Sequence, residues 1–276
     1  MIRPSFQQGY ARYASESASP GLRRGMVGAY MPVITGPTGA TVHDLERLRS
    51  NGTLRNMEPA TDWIPTEHGW SLDTDGTDEY VDGASPLSTY GDMTLAVKCK
   101  WKTQYPDMEF ALSISNPTES YRYAGLAGHR TGGVNYHYMD TRVDGTGVQF
   151  AFRASYVQYQ WATVIGTIKG TAIRLWVDGL EGVPDTMGTP DNTPTHFQLA
   201  RRIHSGQTHY ANATIAAAMI YDRAISENEV MELSGDVLAP FRLRQKVYAA
   251  ATVAAAGSAP TGTLYGSLVG PLGGAI

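Results

Sequence analysis

Apolar and polar positions alternate along much of this chain. In MTLAVKCKW (93–101), Leu95, Val97, Cys99 and Trp101 fall on one face. Lys98, Lys100 and Lys102 fall on the other. A period of two is the mark of a strand with one buried face. TAIRLWV (171–177) sets Ile173, Leu175 and Val177 against Arg174 and Trp176. With WATVIGTIK before it, this reads as a hairpin turning at Ile168 to Gly170. Further strand-like runs are MVGAYMPV (26–33), MEFALSIS (108–115), YRYAGLAG (121–128), VNYHYMDTR (134–142) and VQFAFRASY (148–156). Trp70–Leu72 and Glu79–Val81 flank the turn TDGTD, and Phe197–Ala200 and Ala213–Tyr221 are late strands. GPTG (36–39), TGGVN (131–135) and GTGVQ (145–149) read as turns.

A period near 3.6 is expected once. SENE (226–229) is a capping box, with Ser226 capping and Glu229 reaching back. That helix runs to about Ser234, and Gly235 is its stop signal. Many short strands, frequent turns and one short helix predict an all-β sandwich of two antiparallel sheets.

Composition narrows the function classes. Charged residues are 17% of 276, against 30 Gly, 15 Pro and 16 Tyr, which suits a turn-rich β protein. A net charge of −4 argues against nucleic acid as the main partner. No run approaches the ~18 apolar residues of a membrane helix, and the opening residues lack the apolar segment of a signal peptide. Cys99 is the single cysteine, so no disulfide frame is expected and synthesis in a reducing cytoplasm is.

Three regions follow. Residues 1–25 read as an extended arm made basic by Arg3, Arg12, Arg23 and Arg24. Residues 26–238 hold the sandwich. Residues 239–276 read as an extended strap, whose last 28 residues carry no charged side chain. Arg3, Arg12, Arg23 and Arg24 of the arm, with Arg242, Arg244, Lys246, Leu264, Tyr265, Leu268 and Leu272 of the strap, are the candidate partner contacts.

Taken together, MVGAYMPV, NGTLRNM, LDTDGTDEYVDG, the 161–179 hairpin and IAAAMIYDRAISENEV resemble a laminin-G-like domain of the concanavalin A-like lectin/glucanase superfamily. The resemblance covers residues 26–235 and implies a jelly-roll sandwich. The flanks GYARYASESASPGLRRGMVGAY and LSGDVLAPFRLRQKVYAA are similar to laminin-G-like proteins of tailed bacteriophages. That implies a virion component made in the host cytoplasm. The capsid protein or other virion proteins would be its partners, and a homo-oligomer its default state.

Candidate chemistry is sparse. Glucanases of this superfamily pair carboxylates as Glu-x-Asp-x-x-Glu, and no Glu here is followed by Asp at the second position. No catalytic or cofactor residue is therefore named. Asp73, Asp75 and Asp78 form the densest acid cluster; they are weak calcium candidates, with a plain Asp/Gly turn as the alternative. The seven histidines show no metal-type local pair. Tyr136, Tyr138 and Trp161 are the sugar-stacking candidates, the alternative being cross-strand packing. Three functions remain: a capsid decoration or cement subunit first, a glycan-binding module of a fibre or capsid surface second, a polysaccharide hydrolase last.

Overall fold

A strand with one apolar face must lay that face against another sheet. The computed structural model describes residues 19–46, 50–102, 108–118, 122–142, 148–154, 157–189, 193–204 and 207–242, and in them two large antiparallel sheets meet this need. The nine-stranded sheet runs β14 (Leu180–Glu181), β13 (Ala172–Val177), β12 (Trp161–Lys169), β7 (Met93–Trp101), β19 (Ala213–Tyr221), β5 (Gly69–Asp73) and β4 (Trp63–Thr66). In addition, β1 (Met26–Tyr30) pairs with β19, and β15 (Asp185–Thr186) with β13. The eight-stranded sheet runs β11 (Gln149–Arg153), β10 (Val134–Arg142), β9 (Tyr123–Thr131), β8 (Glu109–Ser115), β16 (His196–Leu199), β6 (Tyr80–Ala84), β3 (Gly52–Arg55) and β2 (Thr41–Val42). A ribbon of β17 (Arg201–His204) and β18 (Gln207–Tyr210) lies against β8. The sandwich expected from the alternation is the sandwich found.

The core between the sheets follows the sequence parity. Leu95, Val97, Cys99 and Trp101 all point into it and are buried. Tyr30 stacks on Phe197 with ring centres 4.0 Å apart. Gly83 makes room for that pair, since a Cβ there would lie 2.2 Å from the Phe197 ring.

Ala96, on the opposite face of β7, is buried as well. It joins Ile165, Trp176, Met219 and Tyr221 in a second apolar cluster, covered by Val230 and Leu233. Those two residues belong to the helix at Glu227–Gly235, whose capping box is present. Ser226 N–H donates to Glu229 Oε2 at 2.8 Å. Gly235 closes the helix as its last residue, and Asp236 caps it.

Turn chemistry holds with one shift. Gly132 and Gly133 join β9 to β10 with φ of 57° and 80°. The β12–β13 turn falls at Gly170–Thr171, later than expected, because Lys169 still pairs with Ala172. Residues 143–147, where GTGVQ begins, lie outside the described residues.

Two short helical turns were not expected. They are α1 (Pro20–Arg23) and α2 (Pro32–Thr35); the 227–235 helix is α3. Each short turn opens on proline, which lacks an N–H and so cannot extend a ladder but suits the first helical position. The run MVGAYMPV is therefore strand only to Tyr30. Residues 19–25, read as extended arm, instead pack on the sandwich. Leu22 is fully buried. Arg23, expected as a partner contact, is buried, ion-paired to Glu46 at 2.8 Å, and lies over the Phe241 ring at 4.9 Å. Ala239–Phe241, expected as the start of the strap, form a 3-10 turn with Ala239 and Pro240 buried. Leu22→Ala should cost about 2–5 kcal/mol in chemical denaturation. A loose arm would give no change.

Candidate functional site

Alternation along β10 sorts its residues between two environments. Met139 faces the core, and His137 lies edge-on to Trp101 with centres 4.8 Å apart. Burial pulls the His137 imidazole down to about 3, with Arg153 adding to the effect. It is therefore neutral at physiological pH. Tyr136, Tyr138, Asp140 and Arg142 fall on the outer face of the eight-stranded sheet.

That outer face carries an aromatic cluster. Tyr138 is its hub, only 6% exposed. Tyr136 lies 5.8 Å from it, Phe150 5.3 Å, Phe152 6.1 Å and His129 5.8 Å, all between ring centres. The register explains the grouping: Tyr138 sits opposite Phe152 on β11 and opposite Ala127 on β9. The small Ala127 leaves space for the ring, while Phe150 keeps 37% of its surface in solvent.

Next to the rings is a buried polar trio. The Tyr123 hydroxyl donates to the Asp140 carboxylate at 3.1–3.2 Å. Arg202, from the ribbon, reaches the same carboxylate at 3.4 Å. Its guanidinium lies over Phe110 at 4.5 Å and Tyr123 at 4.3 Å. The ribbon is thereby pinned over β8 and β9. Gly125 permits this, since a Cβ there would lie 2.7 Å from the Phe110 ring. Burial pushes the Asp140 carboxyl up to about 6, against the pull of Arg202, Tyr123 and Arg142. Burial also lowers Arg202 and raises Tyr123.

The other sequence candidates are dispersed. Tyr136 and Tyr138 come together, whereas Trp161 lies on the other sheet, edge-on to His68 at 5.0 Å and with the Lys100 ammonium 5.0 Å from its ring centre. The three calcium candidates are each engaged within the chain. Asp73 pairs with Lys102 at 3.0 Å and accepts from Thr214 Oγ1 at 2.8 Å. Asp75 accepts from the Thr77 N–H at 2.7 Å, and Asp78 from Asn56 Nδ2 at 3.1 Å. No cluster of three or more His, Cys, Asp or Glu suited to a metal occurs among the described residues. Arg24 is exposed, its carbonyl accepting from Arg223 at 2.7 Å, and Arg242 pairs with Asp236. Arg3, Arg12, Arg244, Lys246, Leu264, Tyr265, Leu268 and Leu272 lie outside the described residues.

Sequence reading missed Phe150, Phe152, His129, Asp140 and Arg202. The alternation of QFAFR already put Phe150 and Phe152 on one face. Nothing local links Arg202 to Asp140, which are 62 positions apart.

Residues 75–231 match a family model described as the concanavalin A-like lectin/glucanases superfamily. No curated protein matches the chain. Among solved structures it is similar to domain 4 of AbnA, an extracellular arabinanase from Geobacillus stearothermophilus, in complex with arabinotriose. That match has a TM-score of 0.58 and 12% identity, covering 76% of this chain and 98% of that one. It is similar to a Trypanosoma rangeli sialidase in complex with sialic acid, with a TM-score of 0.55, 14% identity and coverage of 76% and 32%. It is also similar to a structure of botulinum neurotoxin type C, whose cell entry is dependent upon interaction with two ganglioside molecules. There the TM-score is 0.58, identity 9% and coverage 79% and 52%. The chain thus spans about half of the toxin chain and a third of the sialidase. At these identities the likeness is one of fold.

The Asp140 shift has a definite sign. Its folded value of about 6 lies above the 3.8 usual for an aspartate carboxyl. The fold therefore favours the protonated form, and this group's contribution is full below about pH 4 and lost as pH rises through about 6. Denaturation across that window should show Asp140→Asn losing this pH dependence. A stability that instead rises from pH 4 to 6 through Asp140 would mean that the Arg202 charge outweighs burial.

Proposed function

We propose that this chain, which belongs to the concanavalin A-like lectin/glucanases superfamily, is a carbohydrate-binding sandwich whose contact surface is the aromatic outer face of the eight-stranded sheet. One observation carries this reading: Tyr136, Phe150 and Phe152 surround Tyr138 on a sheet face, with Phe150 open to solvent. Flat rings suit the apolar faces of sugar rings, and the hydroxyl of Tyr136 and the His129 ring supply polar groups at the same place. The arabinanase domain of the same fold, in complex with arabinotriose, supports it. The reading is non-catalytic. The one acid at the centre of this face, Asp140, has a side chain 1% exposed and is held by Arg202. A glycan array read with and without calcium, followed by calorimetry on any hit, is the test. Tyr136→Ala and Phe150→Ala should each weaken binding by about tenfold, or about 1.4 kcal/mol. Binding unchanged in both variants, or absent for every glycan, removes the reading.

A second reading concerns where the sandwich works. The bacteriophage-like flanks and the uncharged 249–276 stretch favour a virion structural protein, a capsid decoration or cement subunit held to the shell through its ends. Self-association and contact with the capsid protein belong to this reading, and a host polysaccharide could be the glycan. Phe241 lies under Arg23, so the sandwich needs the chain to Arg242. A chain cut after Arg242 should keep its melting temperature and be lost from purified particles. Full retention on particles would show that the tail is not the anchor.

A further inference from the structure

A cavity of about 300 Å³ lies on the outer side of the nine-stranded sheet, between the β4–β5 turn and the end of α3. It is separate from the aromatic face, which belongs to the other sheet. Its floor is Lys98 of β7, Thr163 of β12 and Ala216 of β19. Lys98 and Thr163 are direct cross-strand partners. Ala216 sits in a β-bulge between Ile215 and Ala217, where a larger side chain would fill the space. His68 and Ser234 stand in the walls, and the Asp236–Arg242 pair closes one side.

Three features point to a ligand of definite chemistry. The Ser234 hydroxyl is buried and has no hydrogen-bond partner among the described residues. A buried polar group in that state is costly unless something satisfies it. Lys98 has no carboxylate within ion-pair distance among the described residues. Of the two acids in the lining, Asp236 is already used and Glu67 is exposed at the rim. Asp236 holds Arg242 through one oxygen and accepts the Leu238 N–H at 3.0 Å through the other. Glu67 is held low, first by its own backbone N–H, with Trp161 and Lys100 also favouring its charged form. Partial burial and the Lys98 charge lower the His68 imidazole, leaving a neutral ring with one N–H to donate at pH 7. The cavity therefore offers an ammonium outside any ion pair among the described residues, a buried hydroxyl and a ring donor. Its volume is at the lower end for ligand sites, enough for one ring rather than a chain.

We propose that this cavity binds a small carboxylate-bearing ligand the size of a single acidic sugar, with Lys98 and Ser234 holding the carboxylate. Lys98 supplies the charge, as ammonium groups do for anions. Thr163 is placed to meet a ring hydroxyl. Neither the aromatic face nor its glycan is needed for this site.

The test is backbone-amide chemical-shift mapping of the full chain with sodium glucuronate, with glucose and sodium acetate as controls. Glucuronate should move the amides of Thr163, Ala216 and Ser234 and saturate, while glucose should bind about tenfold more weakly. Raising sodium chloride should weaken glucuronate, since a charge contributes. Lys98→Gln, at a partly exposed position, should lose about tenfold in affinity. Ala216→Leu should abolish binding by filling the floor. Tyr136→Ala should leave this site unchanged, so the two sites succeed or fail separately. Equal binding of glucose, shifts confined to β10 and β11, full affinity in Lys98→Gln, acetate binding as tightly as glucuronate, or no saturable shift at all would each overturn the proposal.

Discussion

Each strand of the two sheets has two faces, and the period of two keeps their tasks apart. In β7 one parity fills the core while the other alternates between Ala96 beneath α3 and the lysines at the surface. In β10 one parity buries His137 and Met139, and the other presents Tyr136, Tyr138 and Asp140. A one-residue slip in β10 would drive a carboxylate into the apolar core and put Met139 outside. The register is fixed by this cost as much as by its hydrogen bonds. Every feature of the outer faces rests on it.

Strand parity was also what the sequence made legible. The core faces of β7 and β13 follow from their alternation, β19 reads as a strand, and Ser226 with Glu229 marks the helix start. Features without a period stayed hidden. Pro20–Arg23 and Pro32–Thr35 are single turns, too short for any helical repeat. The ribbon of β17 and β18 carries no strand signal because its pairing partners are mostly polar and its anchor, Arg202 on Asp140, is distant in the chain. The aromatic site was legible in half. Tyr136 and Tyr138 stand two apart on one strand, so their shared face follows from sequence. Phe150 and Phe152 join them through the β10–β11 register, which no local pattern encodes. Trp161 went to the other sheet for the same reason.

A chain with few charges uses several of them inside. Arg23–Glu46 and Arg202–Asp140 are ion pairs with arginine side chains only 6% exposed. Such pairs contribute little net stability, because desolvation offsets much of the attraction. Their value lies in geometry. Each guanidinium also covers aromatic rings, Phe241 in one case and Phe110 with Tyr123 in the other. Each fixes a segment, α1 or the ribbon, that has little apolar surface of its own. Replacing either arginine by lysine would keep the charge but lose the planar contact.

The two ends of the described sandwich meet. Ser19 hydrogen-bonds Glu232, Arg223 bonds the carbonyls of Gly21 and Arg24, and Arg23 rests on Phe241. A domain whose ends adjoin is topologically a closed loop. It can be spliced into a surface turn of another protein at the cost of two junctions, or cut open at Gly132–Gly133 and rejoined at the old ends. The fold is in that sense portable, with an order of strands in space that does not depend on where the polypeptide starts.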